Sequence, residues 1–81
     1  MTESEVLLAL NRILCDLLDD ETIILNPATI RSEVDGWDSF QYVNFIVAVE
    51  VEYGIKFRVA DVESFVTVGD IVAEILKLTG K

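Results

Sequence analysis

The sequence predicts an all-α domain of four helices, with a short third helix and a long connection between the first two. Three observations predict it. Apolar residues recur at helical spacing near both ends of the chain, helix-capping residues stand just ahead of the apolar runs, and 81 residues, 52% of them hydrophobic, suffice for one core and one domain over 1–81.

The first helix is expected over about residues 3–18. Thr2 and Glu5 have the spacing of a capping box, and Val6, Leu10, Ile13, Leu14, Leu17 and Leu18 repeat at helical intervals. Asp19, Asp20 and Glu21 end the pattern. From there to Gly36 no period is sustained, so this is a long connection, with Ile23, Leu25 and Ile30 as the side chains that would pin it.

The run FQYVNFIVAVEVEY, residues 40–53, is ambiguous by composition because Val and Ile favour strands. Phe40, Val43, Ile46, Val47, Glu50 and Tyr53 follow a helical stripe, while Val47, Val49 and Val51 also alternate as a strand would. Asp38 as an N-cap, Gly54 as a left-handed C-cap and the length of the run favour a second helix. Residues 59–65, VADVESF, give a short third helix burying Val62 and Phe65. Thr67, ahead of Val68, Gly69 and Asp70, is then cap-like, and Val68, Ile71, Val72, Ile75 and Leu76 mark a fourth helix ending near Gly80.

Charge and residue usage exclude several classes of function. Fifteen acidic against six basic residues give a net charge of −9, which disfavours nucleic acid and anionic lipid and suits partners with basic surfaces. With no His and a single cysteine, Cys15, neither an intramolecular disulfide nor a closed zinc site is available, and a reducing cytoplasm is expected. The acidic N-terminal stretch MTESEVLL lacks the basic region of a signal peptide, and no apolar run is long enough for a membrane span.

Motifs for catalysis also fail. If Gly36 held the turn position of a calcium loop, its first and last ligands would be Arg31 and Tyr42, which cannot supply those oxygens. The four glycines are too far apart for a phosphate-cradling loop, and a serine nucleophile would find no histidine base in this chain. An autonomous enzyme is not expected.

DGWDSFQYVN, residues 35–44, carries the candidate site. Asp38 suffices to cap the second helix, which leaves the Ser39 hydroxyl at its first position, near unpaired N–H groups that favour a phosphate ester. A serine so placed, without a base, is suited to being a substrate of another protein. On local sequence alone, the plainer reading of Ser39 is part of an ordinary helix cap, because Ser and Asp dominate such positions.

The segment GWDSFQYVNFIVAVEVEYGIKF resembles acyl carrier proteins, whose Asp-Ser-Leu motif opens the second of four helices. Gly36, Asp38, Ser39, Val43, Ala48, Glu50, Glu52 and Tyr53 fall where that family has such residue types, and VESFVTVGDIVAEI resembles its third and fourth helices. The resemblance spans nearly the whole chain. It implies an acyl-carrier-like bundle in which a phosphopantetheinyl transferase, using Mg²⁺, attaches 4′-phosphopantetheine from coenzyme A to Ser39. The arm's thiol would hold acyl groups as thioesters for fatty-acid-like, polyketide or specialised lipid biosynthesis, and the carrier would act as a monomer.

The resemblance also implies that the second helix faces partner enzymes that load and process the acyl group. Asn44, Val47, Glu50 and Val51 are then its contacts, with Phe40 and Trp37 serving either the core or a partner. Val47 is alternatively buried, and Glu50 alternatively a solvated charge. A cargo pocket would open between the second, third and fourth helices, lined by Ile46, Phe57, Val62, Phe65 and Ile71, residues that equally form a plain core. Phe40 stands where the family most often has Leu or Met, and Gln41, Asn44 and Val51 where it often has carboxylates, which points away from a housekeeping fatty-acid role. An aminoacyl or peptidyl carrier, or an acidic helical adaptor without a prosthetic group, are the alternatives.

Overall fold

The computed structural model describes residues 1–80 as four α-helices in the order α1 (Glu3–Leu18), α2 (Ser39–Tyr53), α3 (Val59–Ser64) and α4 (Val68–Thr79). One 3₁₀ turn, Arg31–Glu33, interrupts the long connection between α1 and α2. The expected all-α architecture, with its short third helix and long first loop, is what the chain adopts.

Each boundary has a local cause. Thr2 and Glu5 close the capping box that starts α1, and Asp19 ends it in the left-handed conformation (φ 53°) that aspartate tolerates better than most residues. Asp38 Oδ1 accepts the Gln41 N–H at 2.9 Å and opens α2. Gly54, at φ 63°, terminates that helix in a conformation where a Cβ would be strained. At α4, Thr67 Oγ1 accepts from Asp70 N–H, and Asp70 Oδ2 accepts from Val66 and Thr67 N–H at 2.8 and 3.1 Å.

α1 packs against both α2 and α4. The fully buried side chains Val6, Leu10, Leu14, Phe45, Val49, Val68 and Ile75 form the centre of the core, which burial of apolar area stabilises. Phe45 stands edge-on to Trp37 (centroids 5.1 Å apart), and Phe57 edge-on to Phe65 (5.5 Å), geometries that favour aromatic pairs.

The helix expected over residues 40–53 forms, and the structure supplies the inward direction that spacing left open. Phe45, Ile46 and Val49 are buried with Tyr42 and Tyr53 partly so, whereas Phe40 and Val51 are 73% and 78% exposed and Val43 and Val47 are exposed beside them. Apolar residues surround this helix almost completely, so spacing alone does not say which side is inward. The Trp37, Tyr42 and Phe45 rings decide it: they pack together, at 5.1 and 6.2 Å from Trp37, and turn Phe40, Val43, Val47 and Val51 out to solvent.

The connection between α1 and α2 is held largely by polar bonds. Asn11, in mid-α1, donates to the Ile23 carbonyl at 3.0 Å and accepts the Leu25 N–H at 2.6 Å. Leu25 is buried and Ile23 half-buried, as expected of pins; Ile30 is exposed and is held instead by backbone, in an antiparallel bridge with Thr67. Further along, Val68 N–H donates to Thr29 O and Gly69 N–H to Pro27 O, both at 2.9 Å. Gly69 is required for this approach, because a Cβ there would stand 2.8 Å from the Pro27 oxygen.

Phe45→Ala is expected to cost about 3–5 kcal/mol, as for other buried aromatic truncations. Val51→Ala on the exposed face should change stability by no more than about 0.5 kcal/mol. Urea denaturation of the two variants tests the inward direction of α2: equal losses would overturn it.

Candidate functional site

The first residue of α2 is Ser39, exposed and directly after the Asp38 cap. Among the described residues its hydroxyl takes part in no side-chain hydrogen bond, because the Asp38 carboxylate already serves the helix start. Asp38 thus takes the capping bond, and Ser39 stands beside it as an exposed residue at the helix start.

Two clefts flank this hydroxyl. The larger, about 530 Å³, lies toward the 3₁₀ turn and includes Ile30, Ser32 and Asp38. The other, about 360 Å³, runs between α2 and α3 and is walled by Tyr42, Val43, Val62, Phe65 and Ile71. Arg31, Trp37, Ser39, Phe65 and Val66 border both.

Tyr42 braces the second cleft. Its hydroxyl donates to the Val62 carbonyl at 2.8 Å, tying α2 to α3, and the Arg31 guanidinium carbon sits 5.2 Å from its ring centroid. Burial raises the phenol's pKa above its ordinary value, and the positive charge of Arg31 offsets part of that rise. Opposite, the capping box of α4 fixes the turn at Val66 and Thr67. The N–H groups of Val66 and then Thr67, bonding to Asp70, hold its carboxyl below the ordinary 3.8.

The candidate partner residues divide into three groups. Phe40, Val47 and Val51 are exposed, together with Val43, as a line of apolar side chains running away from Ser39 along α2. Asn44 is half-buried and donates to Gln41 Oε1 at 3.1 Å. Glu50 is turned inward to the chain's own backbone, where Oε2 accepts the Phe57 N–H at 2.8 Å and so clamps the segment after Gly54, while exposed Lys56 lies 3.9 Å from Oε1.

Trp37 is not a surface contact. It is 4% exposed, packed by Phe45 and Tyr42, so only its role in the core is realised; its buried indole N–H finds no acceptor among the described residues, a cost that such packing must outweigh. Of the five expected pocket residues, Val62, Phe65 and Ile71 line the cleft beside Ser39. Ile46 and Phe57 are instead buried core residues and do not border it. Sequence alone does not single out Arg31, Tyr42, Thr29 or Asn11 as site or scaffold residues, since each draws its importance from a partner distant in the chain.

Among the described residues there is no cluster of three or more His, Cys, Asp or Glu able to hold a metal ion, and no helix is long and apolar enough to cross a membrane. Cys15 is half-buried, with Sγ 3.6 Å from the Ile23 carbonyl oxygen.

The family model described as phosphopantetheine attachment site matches residues 9–75. An acyl carrier protein of Thermotoga maritima is 38% identical over 61 residues, covering 75% of this chain and 74% of its own length. The solution structure of a holo acyl carrier protein from Geobacter metallireducens superposes with a TM-score of 0.83 at 36% identity, covering 89% of this chain and 83% of that one.

Two measurements probe the frame of the site. Tyr42→Phe should cost about 0.5–1.5 kcal/mol through the lost bond to Val62, with faster amide exchange concentrated in α3; uniform acceleration would contradict a local brace. Because Asp70 has a lowered folded pKa, its contribution to stability is full above the unfolded value and is lost as pH falls through the folded one. Asp70→Asn should therefore flatten part of the decline in Tm below about pH 4, and parallel Tm profiles for the two proteins would refute that contribution.

Proposed function

Because the chain belongs to the acyl carrier protein family, we propose that Ser39 is the residue that carries its 4′-phosphopantetheine and that residues 1–81 act as one carrier domain. The observation that supports this most directly is the exposed Ser39 hydroxyl, free of capping duty at the start of α2 and bordered by both clefts. Unpaired N–H groups at that helix end favour the phosphate ester that attachment creates.

The chain is a carrier and performs no catalysis itself. In this proposal it is the substrate of a phosphopantetheinyl transferase, which supplies the base that takes the Ser39 proton, since the chain contains no histidine. Mg²⁺ belongs to that attachment step. The arm's thiol holds acyl groups as thioesters, and the flexible tether raises their concentration at successive active sites.

Acyl-loading and acyl-processing enzymes would meet the carrier at Phe40, Val43, Val47 and Val51. The chain's net charge of −9 supports basic surroundings on those enzymes, while the exposed line itself supports an apolar centre to the contact. A monomeric carrier in the cytoplasm completes the reading, for which the lone thiol Cys15 is consistent with a reducing compartment.

Incubation with coenzyme A, Mg²⁺ and a broad-specificity transferase should add the mass of one phosphopantetheine, and Ser39→Ala should abolish the addition. Modification retained in Ser39→Ala, or no modification with a transferase active on a control carrier, would overturn the assignment.

A further inference from the structure

Among the described residues of this strongly acidic chain, Arg31 is a cation without an acidic partner. Arg12 pairs with Glu52 at 3.2 Å, Arg58 with Asp61 at 3.1 Å, and Lys56 lies near Glu50, whereas none of the ion pairs among the described residues includes Arg31. Its guanidinium rests instead over the Tyr42 ring, and it borders both clefts that flank Ser39. A contact with an aromatic ring consumes none of the five guanidinium N–H donors, so the group is positioned while its hydrogen-bonding capacity stays available.

The placement of that charge depends on structure far along the chain. Arg31 opens the 3₁₀ turn, whose start is fixed by the bond from Ile30 N–H to Glu33 Oε1 at 2.8 Å and by the bridge from Ile30 to Thr67. Tyr42, one turn into α2 from Ser39, is in turn fixed by Val62. The cation is thus held between two anchored elements rather than left on a free loop.

We propose that Arg31 is a positioning residue for the arm, donating to the phosphodiester formed on Ser39 so that the first part of the arm lies along the cleft walled by Val43, Val62 and Phe65. This rests on Ser39 being the attachment residue. A phosphodiester carries one negative charge at neutral pH and adjoins Asp38, whose carboxylate repels it; the Arg31 guanidinium supplies the compensating charge and a planar set of donors suited to two phosphate oxygens. The apolar walls of the cleft suit the gem-dimethyl portion that follows the phosphate in phosphopantetheine. Because Arg31 is exposed, salt weakens the anchor, which makes the arm releasable rather than fixed.

Nuclear magnetic resonance of isotope-labelled apo protein and free-thiol holo protein, each verified by intact mass, tests the proposal. The free-thiol arm bears no anion other than its phosphodiester, so a response of Arg31 identifies that group. Conversion to holo should shift the Arg31 Nε–H and Tyr42 ring signals, with the shift diminishing at high salt. In holo Arg31→Gln, Overhauser contacts from the arm's methyl groups to Val43 and Phe65 should fall by roughly two- to five-fold, the size of one partly screened ion pair, and Arg31→Lys should restore part of them.

Unchanged backbone spectra away from residue 31 would show that both variants keep the fold. A confirmed mass gain with an unmoved Arg31 Nε–H, or equal arm contacts in wild type and Arg31→Gln, overturns the anchor while leaving attachment intact. Absence of the mass gain overturns the attachment reading and this inference with it.

Discussion

The seam between the α1–α2 connection and the start of α4 is the constraint on which the site depends. Val68 and Gly69 donate their N–H groups to the Thr29 and Pro27 carbonyls, satisfying loop carbonyls and the otherwise unpaired donors of a helix start in one arrangement. A connection this long carries a large ordering entropy, which scattered apolar contacts alone would offset poorly. Thr29, buried at the seam, adds its own bond, accepting the Asn26 N–H through its hydroxyl at 3.0 Å. Once the seam is set, the 3₁₀ turn, Trp37 and the start of α2 follow within a few residues of chain, and Ser39 inherits its place beside α3.

α2 meets two demands that pull on the same residue types. One side supplies Phe45, Ile46 and Val49 to the core, and the other leaves Phe40, Val43, Val47 and Val51 in water. Exposing such a line costs solubility unless the rest of the surface compensates, and the fifteen acidic residues of the chain do so by mutual repulsion between copies. Charge and apolar exposure are therefore complementary features of one surface.

Much of the fold was legible because the signals are local. Thr2 with Glu5, Asp38, Gly54 and Thr67 with Asp70 act within a few residues of themselves, and all of them mark the observed helix ends. The direction of α2 was illegible for a physical reason: when apolar residues occupy nearly every side of a helix, periodicity carries no phase, and the choice falls to aromatic packing among Trp37, Tyr42 and Phe45. Glu50 illustrates the same limit, since a carboxylate on a helix reads as solvated until the turn after Gly54 brings the Phe57 amide to it. Asp38 could be read as a cap from its neighbours, and Ser39 was marked out by a resemblance that spans most of the chain, whereas Arg31 acquires its setting from Tyr42 and, through it, from Val62 on a different helix.

The burial of Trp37 has an optical consequence. It is the chain's single tryptophan, two residues before Ser39, enclosed by Phe45 and Tyr42 in an apolar setting. Its emission therefore comes from one place, the junction where the long connection enters α2, and the wavelength of that emission follows how much water reaches the indole. The carrier holds a native fluorophore beneath the start of its own functional helix, so loosening of that junction can be followed without attaching a dye.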